Sequence, residues 1–221
     1  MFTFTQQLDR SSTGFVLGAL TKMTRELVGG EDPTLRALSD EARGLGVRPI
    51  IVGGVAVIHH GYRRTTEDRD VMLTHHDAEK LAEHLEEHLD WERLEIRQYA
   101  FLHKPTGVIV DFLVSGHLMQ MGRPYFFPDV RRMESAGSIA DLPVIGLHEL
   151  IWLKLVAGRM QDLADIMELC KRHLNDIDIE RVLKPVLPED DDLRVNLAEI
   201  VRRAPLELAG ERRLGQDHPD S

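Results

Sequence analysis

Asp68 and Asp70, one residue apart, and Asp111, alone in a later apolar run, are the residues of this chain best suited to chemistry. Successive side chains on a strand point to opposite faces, so Asp68 and Asp70 project from the same one. Two carboxylates on one edge can share a pair of divalent cations, and a third on a neighbouring strand can complete the site. Such a site suits in-line attack on a phosphorus atom. Ahead of the pair stands Val52-Gly53-Gly54-Val55-Ala56. Its backbone amides can approach phosphate oxygens closely, because glycine has no side chain in the way. Each signal is weak alone. An Asp-x-Asp is more often a solvated strand end, and Gly-Gly more often a tight turn. Asp111 is odder, because Val108-Ile109-Val110 precedes it and Phe112-Leu113-Val114 follows. A charge there is costly unless it is paired, hydrogen-bonded or bound to metal. A strand-end Asp paired with an Arg is the plain alternative.

The ordered combination resembles the nucleotidyltransferase superfamily that includes DNA polymerase beta. That pattern is an apolar residue, Gly-Gly or Gly-Ser, a spacer, Asp-x-Asp or Asp-x-Glu, then a distant third Asp. A closer resemblance is to the bacterial, toxin-like abortive-infection branch. It is carried by Gly53-Gly54-Val55-Ala56, His60-Gly61, Arg64-Thr65-Thr66-Glu67-Asp68-Arg69-Asp70, Lys154 and Arg159-Met160-Gln161-Asp162-Leu163-Ala164-Asp165. It covers roughly residues 48–169. One position departs from the family. The residue between the paired carboxylates is usually apolar, because it points into the core, and here it is Arg69. Either that face is open to solvent, or the guanidinium meets an acid, a phosphate or a nucleic acid.

The resemblance implies an α/β (α+β) nucleotidyltransferase fold: a small mixed sheet flanked by helices, with a helical C-terminal part. It implies Asp68, Asp70, Asp111 and Lys154 as catalytic residues, with the three aspartates holding two Mg2+ ions, or Mn2+ in their place. Asp111 would also help remove the acceptor's proton. Nucleotide-binding residues would be Gly53, Gly54, Arg64, Thr65, Lys154, Arg159, Asp162 and Asp165. Asp162 and Asp165 lie three apart on one helical face, where they could orient Lys154 or Arg159 or contact the acceptor. A helix-surface acid pair is their plain reading. The implied reaction moves a nucleoside monophosphate from a nucleoside triphosphate, ATP among them, to a hydroxyl of tRNA, a protein or a small molecule. A toxin–antitoxin or phage-defence setting would add an antitoxin protein as partner. The rival readings are a small-molecule nucleotidyltransferase of the antibiotic-modifying kind and a catalytically silent nucleotide- or partner-binding module.

The elements that must position these residues can be read from pattern. Asp32 before Pro33 is a good helix entry, and the helix should run to about residue 43. A short buried strand over 49–52 enters the glycines, and a short helix over 55–60 closes at Gly61. The paired carboxylates open a strand over 68–73. Ala78, Leu81, Ala82, Leu85 and Leu89 keep helical spacing over 77–89. Strands over 94–103 and 107–114 read as a hairpin around Lys104-Pro105-Thr106-Gly107, which sets Asp111 beside the Asp68–Asp70 strand. Helices over 147–157 and 161–173 break near Gly158, and Leu163, Ile166, Met167 and Cys170 form the stripe of the second. A helical period resumes over 193–201, with Pro205 and Gly210 ahead of a charged, frayed end. The organisation expected is an N-terminal arm or helix over 1–30, a core over 31–145 and a helical region over 146–221.

Composition bounds the function. With 221 residues the chain can bury a real core. A formal net charge of −10 makes it a poor general binder of nucleic acid, whose affinity rests on phosphate contacts. No apolar run reaches membrane-spanning length, so no membrane partner is expected. One cysteine, Cys170, excludes an intrachain disulfide framework, and the chain opens on no secretory pattern; both fit a cytoplasmic location. Of eleven histidines, His84 and His88 are spaced to clamp a transition metal, but no Cys and no carboxylate at zincin spacing supports them. A Ser-centred hydrolase elbow, a Walker A loop and a dinucleotide fingerprint are all missing from the sequence.

Overall fold

The computed structural model describes residues 32–95, 98–119 and 123–216. The arm expected over 1–30 and the last five residues lie outside that span. The described residues open with α1 (Pro33–Gly44). Asp32 caps this helix by accepting a hydrogen bond from the Leu35 amide at 3.0 Å, and Pro33 needs no amide partner in the first turn. Then follow β1 (Ile50–Ile51), α2 (Gly53–His59), β2 (Asp68–Leu73) and α3 (His75–Glu87). β3 (Trp91–Leu94), β4 (Ala100–His103) and β5 (Val108–Val114) form a meander. After β6 (Ser135–Ile139) and β7 (Leu142–Ile145) the chain becomes helical: α4 (Leu147–Ala157), α5 (Met160–Arg172), α6 (Ile179–Leu183) and α7 (Asp191–Gln216).

The strands make one seven-stranded mixed sheet in the order β3-β4-β5-β2-β1-β7-β6. Its centre is the parallel pair β2–β5, in register from Asp68 opposite Ile109 to Leu73 opposite Val114. The odd positions of β2, Arg69, Val71 and Leu73, are buried on one face. α1 packs on that face, since Asp32 meets Arg69 there. α3 is tied to α1 where Glu41 pairs with His84 at 2.6 Å and with His88 at 3.3 Å. The spacing of these histidines thus serves helix packing. α4 is apolar nearly all round and buried from Leu150 to Val156, as a helix between sheet and helices must be. It ends at Gly158, whose φ of 62° supplies the left-handed C-terminal cap. Cys170 lies buried on α5, and burial pushes its thiol up to about 12, which makes it inert packing.

Three local expectations need correction, and one hairpin was not foreseen. The strand expected over 94–103 is two strands, β3 and β4, which pair Trp91 with His103. β3 exposes Glu92 and Arg93, and such edge-strand charges hide its signal. The β6–β7 hairpin was not legible, because its turn is Ala140-Asp141, both at positive φ, where Asn-Gly would be usual. Arg36 and Arg43 of α1 hold Asp141 at 2.5 and 3.0 Å. α2 starts at Gly53, two residues before the expected point. Finally, α7 runs through Pro205 and Gly210 to Gln216, into the end expected to fray, while the five residues beyond it lie outside the described span. Ala204 and Leu197 are fully buried along it, and Glu211 reaches Lys171 of α5 at 2.5 Å. That packing offsets the roughly 3 kcal/mol that an interior proline costs a helix.

Tyr125 joins the helical region to the sheet. Its hydroxyl accepts from the Leu187 amide at 3.0 Å and donates to Asp190. Tyr125→Phe leaves that amide without its partner. It should lower stability by about 1–3 kcal/mol in thermal or denaturant unfolding, and an unchanged midpoint would show the joint to be energetically idle.

Candidate active site

Asp68 opens β2, and strand alternation puts Asp70 on the same face with Arg69 between them on the other. The parallel register sets Asp111 of β5 directly beside Asp70. One oxygen from each of the three carboxylates lies within 4.8 Å of the others. Among the described residues this is the one group of three such side chains close enough to hold a metal ion. The donor set is all carboxylate oxygen, without His or Cys, which suits hard cations such as Mg2+ and Mn2+ rather than zinc.

Electrostatics point the same way. Burial, then the charges of Asp68 and Asp111, push the Asp70 carboxyl up to about 6, against a partial pull downward from Lys154 and Arg159. A cation among the three oxygens relieves the repulsion that raises it.

The glycines have a steric role. Gly53 has φ +60°, and a Cβ there would lie 1.9 Å from Asp70 Oδ2 and 2.8 Å from Asp70 Cβ. A Cβ on Gly54 would lie 2.4 Å from Thr66 Oγ1. The pair therefore lets α2 start against the carboxylate strand and against the loop before it.

Lys154 stands on α4 with its side chain 6% exposed. Its ammonium meets Asp162 Oδ1 at 3.0 Å and Asp165 Oδ2 at 2.6 Å. Arg64 Nη2 donates to the same Asp165 oxygen at 3.0 Å, and Arg64 Nη1 to the Thr65 carbonyl at 2.9 Å. Arg159 donates through Nε to Asp162 at 2.7 Å, with most of its side chain in solvent. Burial alone would raise the Asp162 carboxyl, but Arg159 and Lys154 outweigh it and hold the group below its ordinary value. Three cations thus share two carboxylates, leaving positive charge at this end of the site. Asp162 and Asp165 are almost fully buried, so they are not the surface acid pair that spacing alone suggests. Instead they orient Lys154, Arg64 and Arg159.

All these groups except Asp165 line one cleft of about 860 Å³ between the sheet and α4. Beyond Asp111 the cleft continues along Leu113 to Tyr99, His117, Met119 and Phe127. Sequence reasoning missed this apolar wall, which is assembled from the turn before β4 and the segment after β5. It also left open the partner of Arg69, which is an acid: Asp32, at 2.6 Å, with both side chains buried.

The family model described as "Nucleotidyltransferase of unknown function" (DUF6036) matches residues 33–207. Among solved structures, the chain is similar to an antigenic nucleotidyltransferase-like protein from Paracoccidioides brasiliensis. The identity is 18% over 80% of this chain and 89% of that one, with a TM-score of 0.51, so the likeness is one of fold. A second similar structure is the antibiotic-resistance factor ANT(2'')-Ia, with 16% identity, 87% and 99% coverage and a TM-score of 0.44. No curated protein matches the chain.

Two outcomes follow from this geometry. Gly53→Ala puts an L-residue into the left-handed region, at about 1–2 kcal/mol, and drives its methyl into Asp70. Mn2+ affinity should fall by calorimetry, and an unaltered isotherm would refute the steric role. The second outcome concerns pH. The Asp70 pKa is raised on folding, so its contribution to stability is full below the unfolded value near 3.8 and lost as pH rises through about 6. Without divalent ions, Asp70→Asn should therefore stabilise the protein above pH about 7, by at most about 3 kcal/mol, and flatten the loss between those values. A variant no more stable than the native chain there would contradict the assigned cause.

Proposed function

The chain belongs to a family of nucleotidyltransferases of unknown function, matched over most of its length; on that premise we propose that it transfers a nucleoside monophosphate from a nucleoside triphosphate to an acceptor hydroxyl. The observation that carries this reading is the carboxylate triad facing a cleft whose one end holds buried, pre-oriented cations. Asp68, Asp70 and Asp111 would hold the divalent cations. When bound, Mg2+ or Mn2+ there supplies positive charge for the triphosphate and for the attacking oxygen.

The chain's own residues do the rest. Lys154 and Arg64, fixed by Asp165 and Asp162, meet the triphosphate with little further ordering, because their rotamers are already set. Arg159 and Thr65 line the same end and add contacts to phosphate oxygens. Asp111 accepts the proton of the acceptor hydroxyl. The acceptor oxygen bonds to the α-phosphorus, the bond from that phosphorus to the bridging oxygen breaks, and pyrophosphate carries the electron pair away.

The far half of the cleft bears on the acceptor. Among the described residues lining it beyond Asp111, from Leu113 to Phe127, there is no Lys or Arg. With a net charge of −10, this favours a protein side chain or a small molecule over a phosphate-rich tRNA end. The likeness of residues 64–70 to the toxin-like branch supports a toxin–antitoxin or phage-defence setting, with an antitoxin as regulator. Among the described residues no helix is long and apolar enough to cross a membrane.

The test offers each α-labelled nucleoside triphosphate with Mg2+ to pools of tRNA, cell protein and small molecules. Label should move to one pool, and Asp68→Asn should reduce transfer by about 100-fold or more, since a lost ligand removes transition-state charge stabilisation. Lys154→Ala should raise KM for the triphosphate. Transfer undiminished in Asp68→Asn would remove the site assignment, and nucleotide binding without transfer to any pool would favour a silent module.

A further inference from the structure

Arg69 is the cation of β2, and it points away from the cleft. Its side chain is 4% exposed and that of Asp32 is 2%. The guanidinium bridges three groups. Nε donates to Asp32 Oδ2 at 2.6 Å, and Nη1 donates to the carbonyls of Asp68 at 3.1 Å and Thr66 at 3.4 Å. The other oxygen of Asp32 is engaged by the first turn of α1 through the Leu35 amide. A continuous path of hydrogen bonds therefore runs from the start of α1 to the main chain of Asp68. Asp68 is the strand residue most in need of such support. It is the first residue of β2, its neighbour behind is a loop, and two like charges face its side chain.

A buried ion pair is weak evidence for stability, because the desolvation of both ions offsets their attraction. The geometry gives this pair a more specific use. The planar fork of Arg can hold one carboxylate and two carbonyls at once, which an ammonium on a flexible stem does poorly. We propose that Asp32 and Arg69 are a positioning pair that fixes Asp68 for divalent-cation binding from behind the sheet. This rests on the reading of Asp68, Asp70 and Asp111 as a cation site, and it adds two residues that never touch the cation or the substrate.

The test is Mn2+ titration by calorimetry on the full chain, beside thermal unfolding in chelator. Arg69→Lys keeps the charge and loses the fork, whereas Asp32→Asn keeps a good helix cap and loses the charge. Each folded variant should bind Mn2+ about tenfold or more weakly, the usual consequence of losing an outer partner of a metal ligand. The double variant Asp32→Asn with Arg69→Met removes both buried charges. It should regain stability over Asp32→Asn alone while its Mn2+ affinity stays low, a split that a merely structural pair would not produce. Native Mn2+ affinity in the folded single variants would overturn the proposal, as would recovery of affinity together with stability in the double variant. Failure of all three variants to fold would assign the pair to stability alone and overturn it equally. A native chain that binds no Mn2+ would sink the cation reading itself, an outcome visible before any variant is made.

Discussion

Three carboxylates with oxygens within 4.8 Å of one another repel, and the surrounding structure is arranged to bear that repulsion. The parallel β2–β5 register forces it, by setting Asp111 beside Asp70 and strand alternation sets Asp68 on the same face. Burial first, and this repulsion after it, raise the Asp70 carboxyl. Proteins tolerate such a cluster where charge is needed for function, and a cation bound there would return the stability forgone.

The neighbouring elements serve the same constraint. Two glycines let α2 begin in contact with the carboxylate strand, where any larger residue would strike Asp70 or Thr66. α4 brings a nearly buried lysine into the cleft, and α5 supplies Asp162 and Asp165 to hold it. These acids hold and direct Lys154, and Arg64 and Arg159 share them. One end of the cleft is therefore cationic, the middle acidic and the far end apolar. That gradient matches a substrate whose phosphates, reacting phosphorus and acceptor differ in charge.

How much of this was legible follows from the range of each interaction. Asp68 and Asp70 were readable because strand alternation puts them on one face, whereas Asp111 and the glycine pair were readable as parts of the ordered family pattern. The α1 cap was readable because Asp32 and Pro33 act within one turn. The Arg69–Asp32 pair was not, since 37 residues separate its members and nothing in either neighbourhood names the other. Spacing alone made Asp162 and Asp165 a surface acid pair; the family pattern tied them to Lys154 and Arg159, which they meet in the fold. The β6–β7 hairpin turns on Ala140-Asp141, both at positive φ, a dipeptide that lacks the usual turn signal. α7 passes Pro205 because packing on α5 outweighs propensity, a tertiary effect that helical periods do not carry. The apolar wall of the cleft arises only when separate turns meet.

The central claim is that the three aspartates hold divalent cations against a nucleoside triphosphate. Anomalous diffraction from crystals soaked with Mn2+ and a non-hydrolysable triphosphate analogue tests it most directly. The account predicts anomalous density among the Asp68, Asp70 and Asp111 carboxylates, with the analogue's phosphates reaching toward Lys154 and Arg64. Strong Mn2+ density elsewhere, with none among these three carboxylates, would contradict it.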